Sequence, residues 1–78
     1  MHETIKKIII NIAGTVPDNP EVDLLKEGII DSFDIVNIVA NIEEKFAIEI
    51  DAEEIVPENF LSINTMVDLV RRCQIGKV

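Results

Sequence analysis

A chain of 78 residues has room for one domain, expected to span residues 1–78, and at this size folding removes only roughly 60% of the surface the unfolded chain exposes, which disfavours a deep, water-free catalytic cavity. Fifteen acids against seven bases give a formal net charge of -8, so nucleic-acid backbones and anionic membrane surfaces are repelled and the natural partners are expected to carry basic patches. Although 47% of the residues are hydrophobic, they fall in amphipathic runs, and none approaches the roughly 20 apolar residues of a membrane span.

At the N-terminus, Met1-His2-Glu3-Thr4-Ile5-Lys6-Lys7 lacks the apolar core and small-residue cleavage site of a secretory signal, which makes the cytoplasm the expected compartment. Ile5, Ile8, Ile9 and Ile12 follow the i, i+3, i+4, i+7 spacing of a helix with one buried stripe. Gly14 stands where a left-handed C-cap belongs, so a helix is predicted over 3–13, with His2 on a fraying end. The β-branched run Ile8-Ile9-Ile10 also suits a strand, but Lys6, Lys7 and Asn11 fit the wet side of a helix better. Pro17, Asp18, Asn19, Pro20 and Gly28 then break any regular element between Gly14 and Asp31. Leu24, Leu25, Ile29 and Ile30 are costly to leave in water, at about 1.5–3 kcal/mol each, so this loop is predicted to lie across the helices as an ordered connection.

A second helix is predicted over 32–46, with Asp31 as its N-cap and Asp34 three residues later completing a capping box. Ile35, Ile38, Val39, Ile42 and Phe46 take its core face, Phe46 being the expected largest core side chain. Phe33, Val36, Ala40 and Glu43, joined by Glu44, form a neighbouring stripe that is apolar at its start and acidic further along, a plausible docking strip. Asp51 and Glu54 form another capping pair, opening a short helix that Pro57 must end or kink. Ser62 can cap a last helix in which Ile63, Met66, Val67, Val70 and Cys73 recur at helical spacing, with Met66 as a core filler and Cys73 half-buried. Arg71 and Arg72 complement its negative end, and Ile75 to Val78 are expected to fray. The predicted fold class is all-α: a small four-helix bundle of three main helices and one short helix near 51–61, with a long loop after the first.

Cys73 is the single cysteine and His2 the single histidine, so neither an internal disulfide nor a cysteine-rich metal site is expected. Asp51, Glu53 and Glu54 lack the spacing and central glycine of a calcium loop. Nine of the 15 acids, Asp31, Asp34, Glu43, Glu44, Glu49, Asp51, Glu53, Glu54 and Glu58, are concentrated between residues 31 and 58. Such a run can be a plain solvated face, or it can steer basic partners in a salt-sensitive way. A serine nucleophile needs a positioned base and an oxyanion site; with the only histidine at position 2, Ser32 is not expected to be one, and no enzyme is expected. Asp31-Ser32 by itself is an ordinary helix start. The chemical role left to Ser32 is that of a hydroxyl modified by another enzyme, beside a helix end whose partial positive charge suits a phosphate.

The run Leu24-Leu25-Lys26-Glu27-Gly28-Ile29-Ile30-Asp31-Ser32-Phe33-Asp34-Ile35-Val36 resembles the phosphopantetheine attachment site of the acyl carrier protein superfamily. The similarity extends over nearly the whole chain, through Glu43-Glu44-Lys45-Phe46 and Val67-Asp68-Leu69-Val70. The resemblance implies that Ser32 receives 4'-phosphopantetheine from coenzyme A through a phosphopantetheinyl transferase, and that Asp31 helps the transferase position its metal and substrate. It also implies that Phe33, Asp34, Val36, Ala40, Glu43 and Glu44 contact partner enzymes. The implied cargo is an acyl or aminoacyl group held as a thioester, loaded by a ligase and presented to synthases or transferases with basic patches, in fatty acid, polyketide or other specialised biosynthesis. Some cargo is expected to fold back near Ile35 and Ile63, and the chain is expected to act as a monomer. It departs from the fatty-acid carriers at Phe33, usually leucine, and at Asn37, usually an acid, which weakens one ion-pair contact; the segment Ile55 to Ile63 is a few residues longer. The form Glu-Gly-Ile-Ile-Asp-Ser-Phe is more similar to the D-alanyl carrier and to stand-alone carriers of specialised biosynthesis. A reading of another class is an unmodified acidic helical adaptor that docks through Phe33, Val36 and Ala40, with Ser32 serving only as a helix start.

Overall fold

Three helices, α1 (His2–Ala13), α2 (Ser32–Phe46) and α3 (Ile63–Ile75), carry the fold in the computed structural model, which describes residues 1–75 and, of Ile75, the backbone alone. Among the described residues there is no strand. The isoleucine run is helical: Ile5, Ile8 and Ile9 are buried while Ile10 is 46% exposed, the split that a 3.6-residue period imposes. Gly14 ends α1 at φ 83°, its N–H donating to Ile10 O at 2.9 Å. The helix begins one residue earlier than predicted, and His2 is not on a frayed end. Its Nε2–H donates to Asn64 Oδ1 at 3.0 Å, tying the first turn of α1 to that of α3.

Helix α1 packs against both α2 and α3, and Ile5, Ile9, Ile38, Ile42, Met66 and Leu69 are sealed from solvent. The long loop is stitched down, as its aliphatic residues require. Leu24 is fully buried; its N–H donates to Leu61 O at 2.6 Å, and its own carbonyl accepts from Ile29 and Ile30 at 2.9 and 3.2 Å. Asn64 N–H donates to Pro20 O at 3.0 Å, a second stitch to the start of α3. Ser62 caps that helix as predicted, in a reciprocal arrangement with Thr65: the Thr65 N–H donates to Ser62 Oγ at 3.2 Å, and the Ser62 N–H to Thr65 Oγ1 at 3.0 Å.

Four expectations change between residues 46 and 75. The short fourth helix is not an α-helix but two 3-10 helices, Ala52–Glu54 and Pro57–Phe60. Pro57 is the reason: it has no N–H to continue a helix and it forces Val56 into an extended conformation, φ -126° and ψ 151°. The Asp51 carboxylate makes no cap; Glu54 N–H donates instead to the Asp51 backbone carbonyl at 2.9 Å. Phe46 is only half-buried, and Phe60 is the largest fully buried side chain. The chain turns away from α2 through left-handed Ala47, φ 53°, and the buried Ile48 and Ile50 follow it inward. Ile75 closes α3 rather than opening a frayed tail; the rest of that expected tail, 76–78, lies outside the described residues.

Candidate functional site

The start of α2 is fixed by local chemistry on both sides of Ser32. Asp31 is extended at φ -128° and ψ -176°, and its Oδ1 accepts from the Phe33 and Asp34 N–H groups, both at 3.0 Å. Asp34 Oδ2 returns the bond by accepting from Asp31 N–H at 3.0 Å, which completes the predicted capping box. Gly28, at φ 73°, turns the chain toward this point, and the buried side chains of Ile30 and Ile35 anchor it to the core before and after. Between those anchors Ser32 is exposed, and its hydroxyl makes no hydrogen bond to any described residue.

This capping defines what Ser32 can accept. Of the N–H groups that a helix tip normally offers an anion, those of Phe33 and Asp34 are already bound to Asp31. A phosphate on the Ser32 oxygen would therefore gain from the helix dipole and water rather than from an enclosing nest of amides. The residues present suit a tethered, solvent-held group and not an enclosed one.

Along α2 the structure brings Ser32 together with an uncovered apolar stripe, Phe33 being 83% and Val36 67% exposed, with Ala40 exposed on the next turn. The acids of the predicted strip divide. Glu44 is exposed, Asp34 is half-buried and held in the capping box, and Glu43 is half-buried, its Oε2 accepting from Ile50 N–H at 3.0 Å. Glu43 thus fastens the chain as it leaves α2.

Sequence reasoning missed this role of Glu43 and the tie made by Arg72. Arg72 Nη2 donates to Glu54 Oε1 at 3.3 Å and to Asn59 Oδ1 at 3.2 Å. An arginine on a helix facing a proline-broken acidic segment is the one signal that could have pointed to it. Next to it, burial first and then the charge of Glu54 push the half-buried Cys73 thiol above its ordinary pKa, against the opposing pull of Arg72. His2 is held at Asn64. Among the described residues no three His, Cys, Asp or Glu side chains converge as metal ligands, and no helix is long and apolar enough to cross a membrane.

An exposed serine hydroxyl without a hydrogen bond thus stands at a capped helix tip, between carboxylates already bound to backbone amides. The family model described as phosphopantetheine attachment site matches residues 3–72. The chain belongs to that family, within the acyl carrier protein superfamily, whose members are non-catalytic carriers bearing covalent 4'-phosphopantetheine and interacting with a phosphopantetheinyl transferase and biosynthetic enzymes.

Proposed function

We propose that residues 1–78 form a single carrier domain whose Ser32 hydroxyl is the point of phosphopantetheine attachment, and that it carries an acyl or aminoacyl group between biosynthetic enzymes. The observation that carries this reading is the Ser32 hydroxyl, exposed and without a hydrogen bond at the capped start of α2, in a chain matched to the attachment-site family over 3–72. When bound there, the group supplies a terminal thiol on which cargo is held as a thioester. The chain's own residues supply address and support. Asp31 and Asp34 keep the helix tip rigid, and Asp31 also helps the transferase position its metal and substrate. Phe33, Val36 and Ala40 give enzymes an apolar contact, with Asp34, Glu43 and Glu44 supplying negative charge beside it.

The partners in this reading are a phosphopantetheinyl transferase, an acyl or aminoacyl loading ligase, and synthases or transferases with basic patches, all met by a monomer in the cytoplasm. The run from Glu27 to Phe33 supports a carrier of the D-alanyl or stand-alone specialised kind over a fatty-acid carrier. The test is intact mass after incubation with coenzyme A and a broad-specificity transferase. A single prosthetic-group increment that disappears in Ser32→Ala is expected. No increment, under conditions that modify a control carrier, would overturn the assignment in favour of an unmodified adaptor docking through Phe33, Val36 and Ala40.

A further inference from the structure

Between the buried side chains of Ile50 and Phe60 the chain crosses from α2 to α3 as a strap, residues 51–59, in which no side chain is buried. Even its two large aliphatics, Ile55 and Val56, are 38% and 36% exposed. Its backbone is held by two short 3-10 helices, with bonds that include Glu54 N–H to Asp51 O at 2.9 Å, Ile55 N–H to Ala52 O at 3.1 Å, and Asn59 N–H to Val56 O at 3.0 Å. Pro57 divides the strap, so no helical ladder links its halves. What links them is polar. Asn59 Nδ2 donates to Glu54 O at 2.7 Å, and the guanidinium of Arg72 on α3 reaches over to Glu54 on one side of Pro57 and Asn59 on the other.

We propose that Arg72 is an ionic latch, and that the strap 51–59 opens as a local unit, with the helices intact, when competing ions loosen it. An exposed ion pair adds little to the stability of a whole domain. Here it acts on a segment with no buried apolar group, whose opening therefore lies at the low end of the free-energy range within a fold. A small term becomes a large share of what keeps such a segment closed. The pair is open to screening, since the Arg72 and Glu54 side chains are 52% and 38% exposed. The inference does not depend on what Ser32 carries.

Native-state amide hydrogen exchange on the full chain tests it, comparing wild type with Arg72→Met, which keeps the aliphatic stem, and Arg72→Lys, which keeps the charge without the fork. In Arg72→Met the Glu54, Ile55 and Asn59 amides are expected to exchange about two- to five-fold faster, with an intermediate effect in Arg72→Lys. The Ile9 and Ile42 amides in α1 and α2 should keep their rates. Added sodium chloride should speed the same three amides in wild type and leave Arg72→Met unmoved. Unchanged strap amides in Arg72→Met, equal acceleration at Ile9 and Ile42, or a salt response that survives the loss of Arg72 would each overturn the latch.

Discussion

Asp31 holds two roles that a pair of substitutions can separate. Its carboxylate accepts from two N–H groups at 3.0 Å and places a negative charge at the positive end of a 15-residue helix. Asp31→Ala removes both effects. Loss of the cap costs about 1 kcal/mol and loss of the charge a further ~0.3–1 kcal/mol, so about 1.5 kcal/mol in all, because both amides are exposed and water replaces the acceptor. A domain of this length is stable by about 4–12 kcal/mol, and each kcal/mol moves its melting temperature by roughly 4–8 °C. Asp31→Ala should therefore melt roughly 6–12 °C below wild type. Asp31→Asn keeps an acceptor oxygen and loses only the charge, about 0.5 kcal/mol, so its melt should fall by roughly 2–4 °C. Thermal unfolding followed by circular dichroism, with all three proteins in one buffer, reads the difference. An Asn variant as unstable as the Ala variant, or an Ala variant that melts with wild type, would refute the capping argument. A slower transferase reaction on Asp31→Asn, run well below its melt, then belongs to the missing carboxylate and not to a damaged fold.

Two further outcomes rest on particular side chains. Phe60→Ala should cost about 3–5 kcal/mol and Phe46→Ala about 1 kcal/mol by urea denaturation, because only the first empties a sealed core position; equal costs would contradict the packing. Alkylation of Cys73, measured in a Ser32→Ala background so that no arm thiol contributes, should show its inflection above that of an ordinary thiol. Burial disfavours the thiolate most and Glu54 adds to that, so Glu54→Gln should favour the thiolate and raise the rate near neutral pH, and an unchanged or lower rate would contradict the assignment.

The two ends of α2 show why one part of this molecule is legible in its sequence and another is not. The Asp31 and Asp34 box involves residues two and three apart, so residue types and spacing alone specify it, and with it the position of Ser32. The stripe of Phe33 and Val36 is legible for the same reason, through helical period. At the other end the chain leaves through Ala47 at φ 53°, a conformation that costs a residue with a Cβ about 1–2 kcal/mol and that no residue type there announces. The path beyond it, with Ile50 held by Glu43 seven residues back and Phe60 in the core, follows from that turn. Local patterns could assign neither Phe60 to the interior nor Arg72 to a pair 18 residues away.

Net charge is a poor guide to where charge is available. Of the ten acids from Asp31 onward, Asp31, Asp34 and Glu43 hold backbone amides and Glu54 holds Arg72. Those carboxylates are oriented by the fold. Glu44, Glu49, Asp51, Glu53, Glu58 and Asp68 are exposed, and a field felt by an approaching basic enzyme comes chiefly from such solvent-facing groups, within a Debye length of roughly 8 Å at physiological salt. The apolar contact proposed for Phe33 and Val36 acts only once surfaces touch, and it depends little on salt. A partner that uses both therefore arrives at a salt-dependent rate and leaves at a rate set by a small apolar patch, the combination a carrier needs if it is to visit several enzymes in turn.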